Sequence, residues 1–292
     1  MGITRRRVIG AMPLLAVSTF AANSGKAAAP LRVAAAMPDP PFEFVGDAGP
    51  AGFDVDLMQR MAMMLGREWR LVRYAGADFN GIFSGLDDNA YDCIASGATI
   101  TPGRERMADF CSPYVLSGQS LVLDPTRHPN VHSIADLKGL VIGVQNGNTS
   151  EPVAERLLAE HAVARVRVYA YDEIEKALDD LSTGGCDVFM KLAPVTEWYL
   201  RTRPKLEVVQ TGITHELLGV SVRKGNTALK NAINEASKAD EGRDRFRAHQ
   251  QMARNGSDAA FVSFSCEGGA SKDERGDDHE QALFRRYRPR AL

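Results

Sequence analysis

Two hydroxyl side chains and an arginine lie close together in this sequence, directly after a short apolar run. Residues 94–95 are typical of a buried strand, and the small residues at 96–98 would let a ligand approach the backbone closely. Thr99 and Thr101 then supply hydroxyl donors, and Arg104 supplies a permanent cation whose planar fork matches a carboxylate or phosphate. These residue types in this order predict a site for a small anion.

A second group of polar residues follows a predicted strand at 141–144. Gln145, Asn148 and Thr149 stand between that strand and a predicted helix with Pro152 in its first turn. Backbone amides at a helix start attract an anion, and Asn148 or Thr149 could add a side-chain donor. A plain helix cap explains the same residues, and the two roles are compatible.

Composition indicates an ordinary globular protein. The 292 residues suffice for two domains, and 44% hydrophobic with 25% charged content gives no sign of a nucleic-acid partner. No HExxH, GxSxG or P-loop string is present, so hydrolase and nucleotide-binding functions have little support. The four cysteines match no metal spacing; buried thiols are favoured at Cys93 and Cys186, and a pairing of Cys93 with Cys111 stays open. We expect no catalytic residue, metal or cofactor.

The first residues have the layout of a secretory signal peptide. Three arginines at 5–7 precede an apolar run at 8–22, and alanines follow at 27–29. The run is too short to span a bilayer comfortably, and because residues 4–6 only approximate a twin-arginine start, the export route stays open. Cleavage after Ala27 removes four basic residues and no acid, so the net charge changes from −2 to about −6. We expect a periplasmic protein with no nucleic-acid partner.

Strands and helices alternate along the rest of the chain. The apolar run at 31–36 is typical of a buried strand, a second strand is predicted at 69–74, and Asp54 is the expected cap of a helix. Alternation of this kind favours doubly wound α/β sheets, in which ligands bind beyond the carboxyl ends of the strands. The later series comprises strands at 141–144, 166–170 and 188–190 and helices at 152–161, 174–181, 194–201 and 227–239.

Two connections divide the chain into lobes. A polar, proline-bearing segment follows an extended run at 119–123, and an apolar run at 217–222 would carry the chain back. We therefore expect two lobes joined by a two-stranded hinge. The predicted units are a signal peptide at 1–27, lobe 1 at 28–122, lobe 2 at 123–216, a return to lobe 1 at 217–255 and a mobile tail at 256–292.

Residues 91–114, YDCIASGATITPGRERMADFCSPY, resemble a long signature of the family 3 extracellular solute-binding proteins, the amino-acid receptors of ABC importers. The likeness runs from about residue 31 to 239. It implies a two-lobed periplasmic-binding-protein fold, in which a monomer closes around a small ligand and presents it to an ABC permease in the inner membrane. The ligand it implies is a small carboxylate-bearing solute, a polar amino acid or a relative of one.

The resemblance also implies roles for particular residues. Arg104 would grip the ligand carboxylate, with help from Thr99 and the backbone at Gly97. Phe79 would cover the ligand side chain, and Gln145, Asn148 and Thr149 would close from the other lobe. The family further places a ligand-facing residue in the proline-rich turn that contains Asp39 and precedes Phe42.

This sequence departs from the family pattern at three positions. Receptors for α-amino acids commonly carry acids where Ala36 and Leu192 stand here, and an aromatic where Asp39 stands. Asp39 could contact a ligand ammonium or merely cap its turn. Lys191 could attract a second ligand carboxylate, although strand alternation would direct it away from the face of Leu192.

Two other functions compete with transport. The departures leave room for an accessory or sensory protein whose partner is another exported protein. A cyclohexadienyl-dehydratase-like enzyme would need a general acid or base in the cleft. The segment around Leu192 and Val195 offers no carboxylate where that chemistry would need one, which disfavours the enzyme.

Overall fold

The computed structural model describes residues 28–240. The predicted signal peptide, residues 241–255 of the predicted return segment, and the predicted tail with Cys266 lie outside the described residues. The strands are β1 Leu31–Ala36, β2 Phe44–Gly46, β3 Gly49–Ala51, β4 Trp69–Tyr74, β5 Cys93–Ile94, β6 Ala108–Phe110, β7 Val115–Ser117, β8 Gln119–Leu123, β9 Val141–Gln145, β10 Arg165–Tyr169, β11 Val188–Leu192, β12 Glu207–Gln210, β13 Glu216–Leu218 and β14 Ser221–Arg223. The helices are α1 Phe53–Met64, α2 Ser84–Asp87, α3 Pro102–Met107, α4 Ser150–Ala159, α5 Ile174–Thr183, α6 Ala193–Leu200 and α7 Thr227–Asp240, with 3₁₀ turns at Phe79–Phe83 and Ile134–Asp136.

Ten of these strands form two five-stranded sheets, one in each lobe, and β2 pairs with β3 in a separate two-stranded sheet. The first has the order β4-β1-β5-β14-β6, with β1 parallel to β4 and β5, and β14 antiparallel to its neighbours. The second has the order β10-β9-β11-β8-β12, with β9 parallel to β10 and β11, and β8 antiparallel to its neighbours. The predicted fold class, two α/β lobes, is confirmed.

A pair of antiparallel strands links the lobes. The chain leaves the first sheet after β6, passes through β7 and enters the second sheet at β8; it returns through β13 to β14. Leu116 and Leu217 are opposite each other in this pair, which we call the hinge. The predicted end of lobe 1 at residue 122 falls inside β8, a strand that bonds only to the second sheet. The lobe boundaries stay a prediction.

The first lobe has a core on each face of its sheet, because side chains alternate along β1. Leu31 and Val33 pack with Met58 and Met61 of α1, which are wholly buried. Ala34 and Ala36 face the other way, toward a second cluster that contains Phe79, Ile82, Phe83 and Leu86. These methionines fill the core, as their helical spacing indicates.

Cys93, Cys111 and Cys186 are buried free thiols, so the Cys93–Cys111 pairing that the sequence left open is not formed. The structure bears out buried thiols at Cys93 and Cys186. No helix between residues 28 and 240 is long and apolar enough to cross a membrane.

Candidate functional site

The carboxyl ends of β1, β9 and β11 meet at the junction of the lobes, and a small cavity lies there. Eight of the ten predicted ligand-binding residues line it, together with Ser96, Gln119 and Leu192. Those eight are Asp39, Phe79, Gly97, Thr99, Arg104, Asn148, Thr149 and Lys191. Their roles toward a ligand stay a prediction.

Phe42 and Gln145 are the two predicted residues that do not line the cavity. Phe42 is wholly buried in the hydrophobic cluster around Phe189, and its ring packs beneath Gly97. The Gln145 amide donates to the Tyr171 carbonyl and accepts from Asn148 Nδ2 at 3.2 Å. Both side chains therefore support the walls of the cavity.

Local structure fixes the position of Arg104. Thr101 caps α3 by accepting from the Arg104 backbone N–H, and Pro102 occupies the first turn. The guanidinium donates to Asn80 Oδ1 at 3.1 Å and to the Thr99 carbonyl at 3.1 Å. It also donates across the lobe junction to the Gly147 carbonyl at 2.9 Å.

Arg104 keeps both its charge and donors for a ligand. Burial lowers the pKa of its guanidinium to about 10, which still leaves it protonated at neutral pH. A guanidinium has five N–H donors, and three take part in the bonds just described. The group lies 4.7 Å from the centroid of the Phe79 ring, which holds its plane in place.

Glu216, at the start of β13, is a central residue that sequence reasoning missed. Its carboxylate accepts from Thr99 and Thr149, both at 2.7 Å, and therefore joins the two lobes. Gln119 and Thr214 donate to its other oxygen at 2.8 and 2.7 Å. The two threonine hydroxyls, expected to face an anionic ligand, donate to this internal carboxylate instead.

The predicted backbone donors also bond to acids of the chain. Gly97 N–H donates to Asp54 Oδ2 at 2.7 Å, and Gly147 N–H donates to Glu151 Oε2 at 2.7 Å. Gly97 has a φ of 51°, a conformation that suits glycine and turns the chain sharply after β5. In this structure both amides are therefore bonded within the chain, and their role toward a ligand stays a prediction.

Asp39 and Lys191 form an ion pair between the lobes. Lys191 Nζ lies 2.9 Å from Asp39 Oδ1, and the two side chains are 2% and 5% exposed. Burial raises the pKa of Asp39, and the neighbouring Lys191 ammonium opposes that rise. Asp39 thus contacts an ammonium, but one supplied by the protein. Lys191 and Leu192 both line the cavity at the end of β11, so strand alternation does not direct Lys191 away from it.

Gly147 lies directly against residues 78–80 of the other lobe. Its φ is 76°, and an added Cβ would lie 2.0 Å from Asp78 Oδ1 and 2.8 Å from the Phe79 amide nitrogen. We expect Gly147→Ala to hold the lobes apart and to weaken ligand affinity at least about tenfold, roughly 1.4 kcal/mol. Small-angle scattering and calorimetric titration would measure the two effects.

Gly139→Ala is the matched control for Gly147→Ala. Gly139 has a φ of 84°, yet no heavy atom lies within 4 Å of its added Cβ. The control shares the backbone strain but not the clash, so it should keep its affinity. If both variants lost ligand affinity equally, backbone strain and not impaired lobe closure would explain the loss.

The sequence predicts Asp54 as a helix cap, but in the structure this buried acid has other partners. Helix α1 begins at Phe53, and the Asp54 side chain makes no cap bond; it accepts from Gly97 and from the Tyr114 hydroxyl at 2.8 Å. Burial raises the pKa of Asp54 to about 7. Burial, with the neighbouring Asp54 and Asp39 carboxyls, also raises the pKa of Glu43 well above its usual range.

These raised values predict how stability depends on pH. A folded-state pKa above the unfolded value of 3.8 gives Asp54 a contribution that is complete below about pH 4 and is lost as pH rises through about 7. Asp54→Asn should therefore flatten the fall in the free energy of unfolding between pH 4 and 7, as measured by urea titration. Asp109 and Asp124 have lowered pKa values, so their contributions to stability change with pH only below about pH 4. A variant with an unchanged pH profile would contradict the assignment.

Comparison with known proteins gives one consistent family. Residues 31–244 match the bacterial extracellular solute-binding proteins, family 3. The ABC transporter arginine-binding protein 1 of Escherichia coli K12 is 32% identical over 230 residues, which cover 76% of this chain and 88% of that protein. The L-cystine-binding protein TcyJ of the same strain is 30% identical over 200 residues, 68% of this chain and 72% of that protein.

Solved structures agree with the sequence relatives. An ancestral arginine-binding protein bound to arginine superposes with a TM-score of 0.68 at 30% identity, covering 77% of this chain and 96% of that one. An ancestral amino acid-binding protein described as a precursor of cyclohexadienyl dehydratase gives a TM-score of 0.67 at 29% identity, covering 77% and 93%. Both likenesses extend over the two lobes and the hinge.

Proposed function

The chain belongs to family 3 of the bacterial extracellular solute-binding proteins, and we propose that it captures a small carboxylate-bearing solute, a polar amino acid or a relative of one, by closing its lobes around it. Its relatives include proteins named as arginine-binding, L-cystine-binding and probable histidine-binding. The observation that carries the proposal is Arg104: a buried cation on the cavity wall with two N–H donors beyond those used by the protein.

The contacts across the cavity support binding by closure. Phe79 N–H donates to the Asn146 carbonyl at 3.2 Å, and Tyr171 N–H donates to the Ala77 carbonyl at 2.9 Å. These bonds join the lobes at the cavity rim, so a ligand between them would be enclosed. A ligand that contacts both lobes favours the closed state by its differential affinity.

We further propose that the exported protein acts in the periplasm as a monomer and delivers its ligand to an ABC permease of the inner membrane. The family is extracellular by description, and a named relative belongs to an ABC transporter. Cleavage after Ala27 would leave the whole described region, 28–240, in the mature protein.

Binding without catalysis is the remaining part of the proposal. One similar structure is described as a precursor of cyclohexadienyl dehydratase, so the enzymatic alternative needs its own test. Asp39 is the only carboxylate among the described residues that lines the cavity, and it is paired with Lys191. General acid–base catalysis needs a side chain placed to exchange a proton with the substrate, and Asp39 is instead held by Lys191, so we expect no product from prephenate or arogenate.

A thermal-shift screen of the mature protein against α-amino acids, dicarboxylates and simple carboxylates tests the proposal. A ligand at a hundred times its dissociation constant should add about 2.7 kcal/mol to the free energy of unfolding. Stabilisation by any of these solutes would support capture. Stabilisation by none of them, together with a solute-independent complex with another exported protein, would favour the accessory or sensory function.

A further inference from the structure

We propose that Lys191 determines which ligands the cleft accepts: solutes whose group distant from the Arg104-bound carboxylate is a hydrogen-bond acceptor, and not solutes with a cationic group there. This inference rests on the proposed function, because it assumes that Arg104 holds a carboxylate. Acceptable distant groups are carboxylate, amide and hydroxyl. The guanidinium of arginine is the type of group that would be rejected.

The cavity offers little to a cationic ligand group. Among the described residues Asp39 is the only carboxylate on its wall, and Lys191 already pairs with it at 2.9 Å. Glu216 lies behind the wall with four hydrogen bonds from protein donors. The acids behind Gly97 are Glu43 and Asp54; both are bonded to protein donors, and burial raises the pKa of both carboxyls.

The same wall offers donors at two separated places. Arg104 lies over the Phe79 ring, and Lys191 Nζ lies 5.1 Å from the centroid of the Tyr171 ring. The two rings pack against each other at 5.1 Å, so each cation lies against one ring of an aromatic pair. An ammonium has three N–H donors, and its contact with Asp39 Oδ1 occupies one of them. Lys191 can therefore receive an acceptor from a ligand held at Arg104.

A cationic group near Lys191 would lose its hydration and meet a like charge. Burial of a charge without a partner is strongly unfavourable, and specificity often depends on such a penalty against the wrong ligand. Without the Lys191 ammonium, Asp39 would be an unpaired carboxylate on the cavity wall and could bind a cationic ligand group. The pair thus predicts a switch of selectivity and not only a loss of binding.

Calorimetric titration of the mature protein with L-glutamine, L-glutamate and L-arginine tests the inference. Wild type should bind one of the first two at least tenfold more tightly than L-arginine. Lys191→Met should raise the affinity for L-arginine at least tenfold, and Asp39→Leu/Lys191→Met should abolish that gain. Lys191→Gln, which keeps a polar side chain of similar length, is a second variant for the case that Lys191→Met does not fold.

The outcomes separate this inference from the proposed function. Wild type that binds L-arginine as tightly as L-glutamine and L-glutamate would overturn the inference and leave carboxylate capture intact. Unchanged ligand ratios in both single variants at Lys191 would also overturn it. Absence of binding to these three and to every other carboxylate solute of the screen would overturn the proposed function and the inference with it.

Discussion

Replacing Asp39 with leucine is expected to lower the free energy of unfolding by about 3–5 kcal/mol, the usual cost of leaving one member of a buried ion pair alone. Lys191 is 2% exposed, and Asp39 is the carboxylate within 2.9 Å of its ammonium. Leucine has a similar size but accepts no hydrogen bond, so the ammonium would lose its counter-charge without gaining water. Urea unfolding at pH 7 would measure the loss.

The double variant Asp39→Leu/Lys191→Met is the control for this prediction. Apolar residues of similar volume often replace a buried ion pair with little loss, so the double variant should be more stable than Asp39→Leu alone. Lys191→Met completes the double-mutant cycle and gives the coupling energy between the side chains. A cycle in which the single effects simply add would show that the pair is not coupled.

Much of the fold follows from local patterns in the sequence. β1 and β4 begin and end where the sequence predicts strands, at Leu31–Ala36 and Trp69–Tyr74. β1 lies inside the sheet between β4 and β5, where burial favours apolar residues, whereas β4 is a partly buried edge strand. Arg104 could be found in the same way, because the hydroxyls, the proline and the arginine of its site lie within one short segment.

The internal partners of the site could not be found locally. Glu216 is 117 residues from Thr99 in the chain, and nothing near it in the sequence marks a site. It lies beside Thr99 because Ile100 N–H donates to the Leu217 carbonyl at 2.8 Å, which joins the hinge to the segment after β5. A carboxylate of the hinge thereby takes hydroxyls that the sequence assigned to the ligand.

The Asp39–Lys191 pair shows the same limitation. Each residue was identified from the sequence as a possible ligand contact, Asp39 for an ammonium and Lys191 for a carboxylate. In the closed structure each satisfies the other across the lobe junction. Side chains on opposite lobes meet only once the hinge brings the lobes together, and no pattern along the chain encodes that distance.

Replacing Arg104 with methionine is expected to weaken binding of the captured solute roughly 10- to 150-fold, because a charge-assisted hydrogen bond contributes about 1.5–3 kcal/mol. Methionine keeps much of the length of the side chain and its contact with Phe79 but has no donor. Calorimetric titration with the solute found by the thermal-shift screen would measure the loss. Arg104→Lys keeps the charge without the planar fork and should lie between wild type and Arg104→Met.

Arg106→Met controls for the loss of a positive charge from the same helix. Arg106 is exposed at the surface of α3, whereas Arg104 is buried, so its replacement should leave affinity unchanged. Arg104 also bonds to the Gly147 carbonyl, and part of its effect could come from weaker closure. Gly147→Ala impairs lobe closure but keeps the Arg104 guanidinium. Comparing the ligand affinities of the two variants therefore separates the contact of Arg104 with the ligand from its effect on closure. If Arg104→Met bound the solute as tightly as wild type, neither a ligand contact of Arg104 nor its bond to Gly147 would contribute to affinity. Arg104 would then be a purely structural cation.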